Sequence, residues 1–227
     1  MPQTHLSRKL WTAVDHYIDD LLIEEDDALL AARSASAAAG LPQIAVTASQ
    51  GKLLFLLAKM VRAKRILEIG TLGGYSTIWM ARALPRSGRV VTLESDAKHF
   101  AVSRENIARA GLARVVDQKL GPALKTLPKI AAEDAAPFDF VFIDADKENT
   151  AAYFGWALRM ARAGTAILVD NVIRDGAVAD PTTKDASVKG VQRFHSAVAR
   201  EPRVSATTIQ TVGSKGYDGF TLVLVLR

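Results

Sequence analysis

The chain has no cysteine among its 227 residues, so disulfides and thiolate metal sites are excluded and any metal must be held by oxygen or histidine. Long hydrophobic stretches are missing too, and no apolar run is long enough to span a membrane. The opening twenty residues, MPQTHLSRKLWTAVDHYIDD, carry charges throughout and lack an apolar segment followed by a small-residue cleavage site. No signal peptide is expected, and a soluble cytoplasmic protein is the default. Basic residues outnumber acidic ones by 29 to 24 but are scattered rather than gathered, so the net charge of +5 permits an acidic partner without offering nucleic acid a visible stripe. Repeats, low-complexity linkers and a second core are also absent. A length of 227 residues at 49% hydrophobic content fits one globular domain over 1–227.

What is present is a glycine-broken apolar run at 65–83, R-ILEIG-TLGGYS-TIWMARA. Ile66, Leu67 and Ile69 predict a short strand, Gly70, Gly73 and Gly74 a tight turn, and 75–83 a helix whose free N–H groups face that turn. Such a junction favours polar or anionic ligand groups, which suggests a nucleotide-like cofactor. A dinucleotide fingerprint starting at Gly70 would need glycines at 72 and 75, where the chain has Leu72 and Tyr75, so a nicotinamide cofactor is disfavoured. The pattern Glu68-Ile69-Gly70-Thr71-Leu72-Gly73-Gly74 resembles instead the first motif of class I S-adenosylmethionine-dependent methyltransferases.

Upstream, Leu10, Val14, Tyr17/Ile18 and Leu21 recur at helical spacing, and the acidic run 24–27 reads as the solvated end of that helix. Residues 28–39 form an alanine-rich helix stopped by Gly40-Leu41-Pro42, and 49–61 a third, with Leu53, Leu56, Leu57 and Met60 on one face. These helices, within 1–62, predict a cap or subunit contact ahead of a core at 63–227. Downstream, strands are expected at 89–93, 114–120, 138–143 and 165–169, and helices at 96–110, from 123, at 148–161 and at 187–200. Strand-helix alternation of this kind predicts a doubly wound, mostly parallel α/β sheet, with ligands at the carboxyl ends of its strands. The last third changes pattern: strands at 204–211 and 220–226, joined through the turn-rich 213–219, predict a closing antiparallel hairpin.

Chemistry gathers at the strand ends. Glu94 lies 24 residues past Gly70, near the spacing at which a second-strand carboxylate reaches ribose hydroxyls; its plainer reading is an exposed loop acid. Asp144, Asp170 and Asn171 end two further strands on the same edge. Two carboxylates and an amide suit Mg²⁺ first, with Mn²⁺ or Ca²⁺ as alternatives, although each residue singly could be a helix cap. Lys147, three residues past Asp144, can reach the same pocket as a general base or form an ion pair there.

The motifs SQGK at 49–52, ILEIGTLGGYS, FDFVFIDADK and VDN at 169–171 resemble the cation-dependent O-methyltransferases that include the caffeoyl-CoA and catechol enzymes. The likeness runs from about residue 46 to the C-terminus. It implies a seven-stranded, Rossmann-like methyltransferase fold and methyl transfer from S-adenosylmethionine to a hydroxyl of a catechol-type or other vicinal-diol aromatic. By the same resemblance, Asp144, Asp170 and Asn171 would hold the cation and Lys147 would deprotonate the acceptor. Val46, Glu68, Gly70, Thr71, Ser76, Glu94, Ala123 and Asp144 would line the cofactor pocket, with Gly74 part of its turn. A homodimer is expected from the apolar-faced N-terminal helices and the resemblance together. Two departures stand out: Arg174 and Asp175 occupy places where the plant enzymes have a tryptophan and an asparagine, against a caffeoyl-CoA acceptor, and 213–219 is longer than the usual glycine turn. Competing readings are a relative that methylates hydroxyuridine in tRNA and a non-catalytic S-adenosylmethionine-binding protein. Were activity to survive chelation, Lys147 or His195 would be the remaining acid-base candidates.

Overall fold

The computed structural model describes residues 5–133 and 136–227. Three helices, α1 (His5–Leu22), α2 (Asp27–Ala38) and α3 (Ala48–Met60), precede the first strand. Then follow β1 (Arg65–Ile69), α4 (Tyr75–Ala83), β2 (Arg89–Glu94), α5 (Ala97–Arg109), β3 (Val116–Leu120), α6 (Ala123–Glu133) and β4 (Phe138–Ile143). A short 3-10 turn, Lys147–Asn149, leads into α7 (Thr150–Arg159), β5 (Ala161–Asp170), α8 (Ala186–Arg200), β6 (Val204–Gly213) and β7 (Gly216–Val225). The sheet order is β3-β2-β1-β4-β5-β7-β6, and only β7 runs against the rest. This is the doubly wound sheet with an antiparallel finish that the alternation predicts.

Period-two side chains divide the core. Leu67, Ile69, Val141, Ile143, Ile167 and Val169 face α6, α7 and α8, where Leu127, Phe154 and Phe194 are buried. Ile66, Phe140, Phe142 and Leu168 face the other way, onto α2, α3 and α4. Helix starts follow local chemistry: Thr47 and Gln50 form a capping box on α3, and the Asp96 carboxylate accepts from the N–H groups of Lys98 and His99.

Four local expectations are corrected. Helix α3 buries Ala48, Gly51, Leu54 and Ala58 and leaves Leu56 and Met60 exposed, the latter by 76%. The reason is Trp79, which lies so close that a Cβ on Gly51 would stand 2.3 Å from its ring; only small residues allow that approach. The acidic run 24–27 is not simply a solvated end. Asp26 caps α2 and pairs with Arg82 at 2.5 Å, while Glu25 pairs with Arg33 and accepts from the Tyr75 hydroxyl at 2.7 Å. The helix expected at 148–161 ends at Arg159, because Ala161 already pairs with Phe138 and the Thr165 hydroxyl donates to the Phe138 carbonyl. Finally, 213–219 is no long loop: Gly213 pairs with Gly216, so Ser214 and Lys215 alone make the turn between two ten-residue strands.

The amphipathic stripe of α1 is present but faces outward, with Leu10, Tyr17 and Leu21 more than half exposed. Polar bonds hold the helix instead: Asp19 accepts from the Ser49 hydroxyl at 2.5 Å, and Asp15 accepts from the Ser214 backbone N–H at 2.7 Å.

Candidate active site

A cavity of about 780 Å³ opens over the carboxyl ends of β1, β2 and β4. Its floor is the turn after β1. Gly70 has φ +102, and a Cβ there would sit 2.0 Å from the Asp144 carbonyl oxygen, so only glycine lets β1 and β4 run this close. Gly74 (φ +81) starts α4 with no side-chain cap. The first N–H groups of the helix are thereby left to the cavity, onto which Tyr75 and Ser76 also face.

Glu94 closes the adjacent wall. Its carboxylate accepts from the backbone N–H of Leu72 at 2.8 Å and from those of Ser95 and Asp96 at 2.8 and 2.9 Å, tying the end of β2 to the glycine turn. Beneath the floor lies Glu68, fully buried on the α4 side of the sheet. It accepts hydroxyl bonds from Ser76 and Thr92 at 2.5 and 2.6 Å and from Thr77, while Thr92 also bonds to Thr71. Burial raises its pKa to about 7; the three hydroxyl donors oppose the rise, and the charge of Asp144 adds to it.

The opposite end of the cavity collects the acids and the amine. Lys147 donates to Asp144 Oδ1 at 2.7 Å, so the ion pair considered from the sequence is formed. Helix α8 fixes the lysine backbone: a Cβ on Gly190 would meet the Lys147 carbonyl oxygen at 2.1 Å, and the Thr150 hydroxyl donates to that oxygen at 2.9 Å. Asp170, 5% exposed, accepts from the Asn171 backbone N–H at 2.9 Å. Its carboxyl is pushed up to about 7, first by burial and next by the charge of Asp144. Asn171 has φ +56, an uncommon backbone state for a residue other than glycine, and it lines the cavity.

Of the residues singled out from the sequence, Val46, Gly70, Thr71, Ser76, Glu94, Ala123, Asp144, Lys147 and Asn171 line this cavity. Glu68 and Gly74 sit behind its wall, and Glu68 is bonded to the lining residue Ser76 and, by way of Thr92, to Thr71. Asp170 lies under the acidic end, in a small crevice with Val46, Gln50 and Phe220. His195 does not belong here. It is partly buried on α8 against Phe194, with Nε2 3.3 Å from the Thr221 hydroxyl, and burial lowers its pKa.

Three groups escaped the sequence reading. Tyr75 lines the cavity and is bonded to Glu25, with the Arg33 guanidinium 5.7 Å from its ring centroid. Tyr153 also lines it and donates its hydroxyl to Asp146, which burial reinforces by raising the phenol pKa. Lys215, at the hairpin turn, donates to the carbonyl of Ala45 in the cavity wall; burial lowers its pKa although Asp144 and Asp170 pull the other way. The first two stand beside motif residues and were open to suspicion. Lys215 is 71 residues from Asp144 in sequence and carried no local signal.

The chain resembles known proteins along nearly its whole length. A family profile described as O-methyltransferase matches residues 20–226. A catechol O-methyltransferase of Niastella koreensis is 53% identical over 97% of this chain and all of its own. An O-methyltransferase from Bacillus cereus, solved in complex with SAH, superposes with a TM-score of 0.95 at 54% identity, over 96% of this chain and 99% of that one. TomG from Streptomyces achromogenes, solved with SAM and involved in tomaymycin synthesis, gives 0.94 at 51%, over 97% and 99%. By sequence and by fold, the chain belongs to the S-adenosylmethionine-dependent O-methyltransferases.

Proposed function

We propose that this enzyme moves the methyl group of S-adenosylmethionine to a hydroxyl of a catechol-type aromatic, with a divalent cation held by Asp144, Asp170 and Asn171. One observation carries the reading: two carboxylates, an amide and a lysine amine converge where the cavity floor meets the ends of β4 and β5. The donor chemistry fits a hard cation. Asp170 is nearly sealed from water beside a second carboxylate, and the raised pKa expresses the cost of that crowding, which a divalent ion would relieve. Bound there, the ion would supply charge that orients two vicinal oxygens and lowers the pKa of one.

The chain's own residues do the rest. Lys147 stands at the acidic end with its ammonium on Asp144, placed to take the proton of the acceptor hydroxyl once that pair loosens and the ammonium has released a proton to solvent. The turn at 70–74, the uncapped start of α4 and Glu94 form the part of the cavity suited to the cofactor, with Glu68 stiffening its floor from below. Tyr75 and Tyr153 add apolar wall that limits water around the reacting groups. Rate then comes from positioning and from one proton transfer, with no covalent protein intermediate. The name of the Niastella relative supports a catechol.

Methyl transfer to a panel of catechols, with Mg²⁺ and after exhaustive EDTA treatment, is the direct test, and a hypomodified tRNA arm separates the hydroxyuridine alternative. Calorimetry with S-adenosylmethionine and no turnover on either arm would favour the binding-protein alternative. We further infer a homodimer formed through the outward apolar stripe of α1; a monomer by light scattering at micromolar concentration rejects it.

A further inference from the structure

Two cations have donors to spare here: Arg174 in the cavity lining and Lys215, bonded to Ala45 of its wall. Arg174 lines the cavity close to Asn171. Among the described residues its Nε is buried without a partner and its one ion pair is loose, Nη1 standing 4.0 Å from Asp218 Oδ2. The backbone beneath it is nevertheless clamped. Asp218 Oδ1 accepts from the N–H groups of Ile173, Arg174 and Gly219 at 2.9, 3.1 and 3.0 Å, holding a loop in which Asn171, Arg174 and Asp175 all have positive φ. A guanidinium has five donors, and here most are unspent on a fixed stem.

Lys215 approaches from the hairpin. Asp170 pairs with Phe220 and the turn follows Gly213 and precedes Gly216, so the tip projects roughly 15 Å beyond the strand end that carries Asp170, at about 3.4 Å per residue. Asp15 and Arg8 of α1 hold Ser214 from outside, through its N–H at 2.7 Å and its carbonyl at 3.4 Å. Tyr217 packs against the Arg174 loop, its ring 3.5 Å from where a Cβ on Gly176 would be. The hairpin thus links that loop to the 44–46 wall, where the Lys215 ammonium donates to a single neutral carbonyl, that of Ala45.

We propose that Arg174 and Lys215 form an anion subsite in the acceptor half of the cavity, making the preferred acceptor a vicinal-diol aromatic that carries a carboxylate. This rests on the methyl-transfer reading above. A neutral ring would ask nothing of these two cations. A ring-borne carboxylate sits across the ring from the hydroxyls, so Asp144 and Asp170 meet the hydroxyl edge while the cations meet the anion. Lys215 exchanges the Ala45 carbonyl for the carboxylate, a stronger, charge-assisted partner.

The probes are 3,4-dihydroxybenzoate and its uncharged methyl ester, assayed with Mg²⁺ on the wild-type enzyme, Lys215→Gln, Arg174→Gln and the double variant. The quantity read is the ratio of kcat/KM for acid over ester, which cancels any general loss of folded enzyme. The wild type should favour the acid, and the ratio should fall about 10- to 100-fold in the double variant, as expected for lost charge-assisted bonds. The Kd of the acid for SAH-loaded protein, read by calorimetry without turnover, should weaken in parallel, and more so at low than at high salt. A ratio and a Kd that stay within twofold in the double variant overturn the subsite. If the wild type methylates neither probe, the methyl-transfer reading fails, while the calorimetric Kd still decides the subsite by itself.

Discussion

The half of the cavity suited to the cofactor is walled by three consecutive strand-to-helix turns, at 70–76, 94–96 and 121–123, whereas the half proposed for the acceptor draws on four segments spread over 170 residues: Asp144, Asn171 and Arg174 line it, as does Ala45, to which Lys215 is bonded. The first half is mostly backbone: glycine turns, an uncapped helix start and carboxylates that bind N–H groups. The second is mostly side-chain charge. Backbone sites follow from the fold itself, because any chain that makes the turn exposes the same N–H groups. Side-chain sites depend on which remote elements the tertiary structure brings over them, and so can change acceptor without disturbing the sheet.

The sharpest way to break the symmetry between the halves is Asp170→Ala. Activity should drop to the level left by EDTA, while calorimetric affinity for S-adenosylmethionine stays within a few-fold, because Asp170 lies beneath the acidic end rather than along the glycine turn. Full activity after exhaustive chelation would make the oxygen cluster structural. Lys147→Ala should cost about 10²- to 10⁴-fold in kcat, the range for a lost general base, yet leave Mn²⁺ binding measurable by calorimetry.

The next effect belongs under the floor of the cofactor half. Glu68 has a folded-state pKa near 7 against 4.5 as its ordinary value, so stability falls progressively as pH rises from about 4.5 to 7, where the unfolded carboxyl ionises while the buried one keeps its proton, and the loss is complete above 7. Below pH 4.5 the penalty vanishes. Glu68→Gln, which cannot ionise, should therefore gain on the wild type with rising pH, by up to about 3 kcal/mol between pH 4.5 and 8 in paired denaturant titrations. A gap that does not move with pH would mean the carboxylate is ionised throughout. Smallest is Glu94→Ala, expected to weaken S-adenosylmethionine binding by about 1.5–3 kcal/mol, the worth of a hydrogen bond to a charged group, with metal binding untouched.

The two halves also differ in how far they could be read in advance. Strand β4 and helix α4 agree with the sequence to the residue, and β1 to within one, because glycine, β-branched runs and helical spacing are local signals. Asp144, Lys147 and Asn171 were legible as strand-end chemistry. The face of α3 was misread because the pattern shows which residues are apolar, and the bulk of Trp79 decided that the small ones go inside. The 213–219 segment was misread because glycines signal a loop as readily as a strand that tolerates close neighbours; a Cβ on Gly219 would stand 2.3 Å from the Ile209 carbonyl oxygen.

By itself, the sequence determined the strand-helix alternation, the glycine turn and the acids at the strand ends, since each depends on residues within one turn or strand of one another. Only the tertiary structure decided that Glu68 is a sealed hub behind the cavity, that His195 turns away from it, and that a hairpin of two ten-residue strands carries Lys215 across to Ala45. Those outcomes depend on the register of β7 against β5 and on which helix covers which face of the sheet. Both are settled by burial summed over the whole core, and no short stretch of sequence contains that sum.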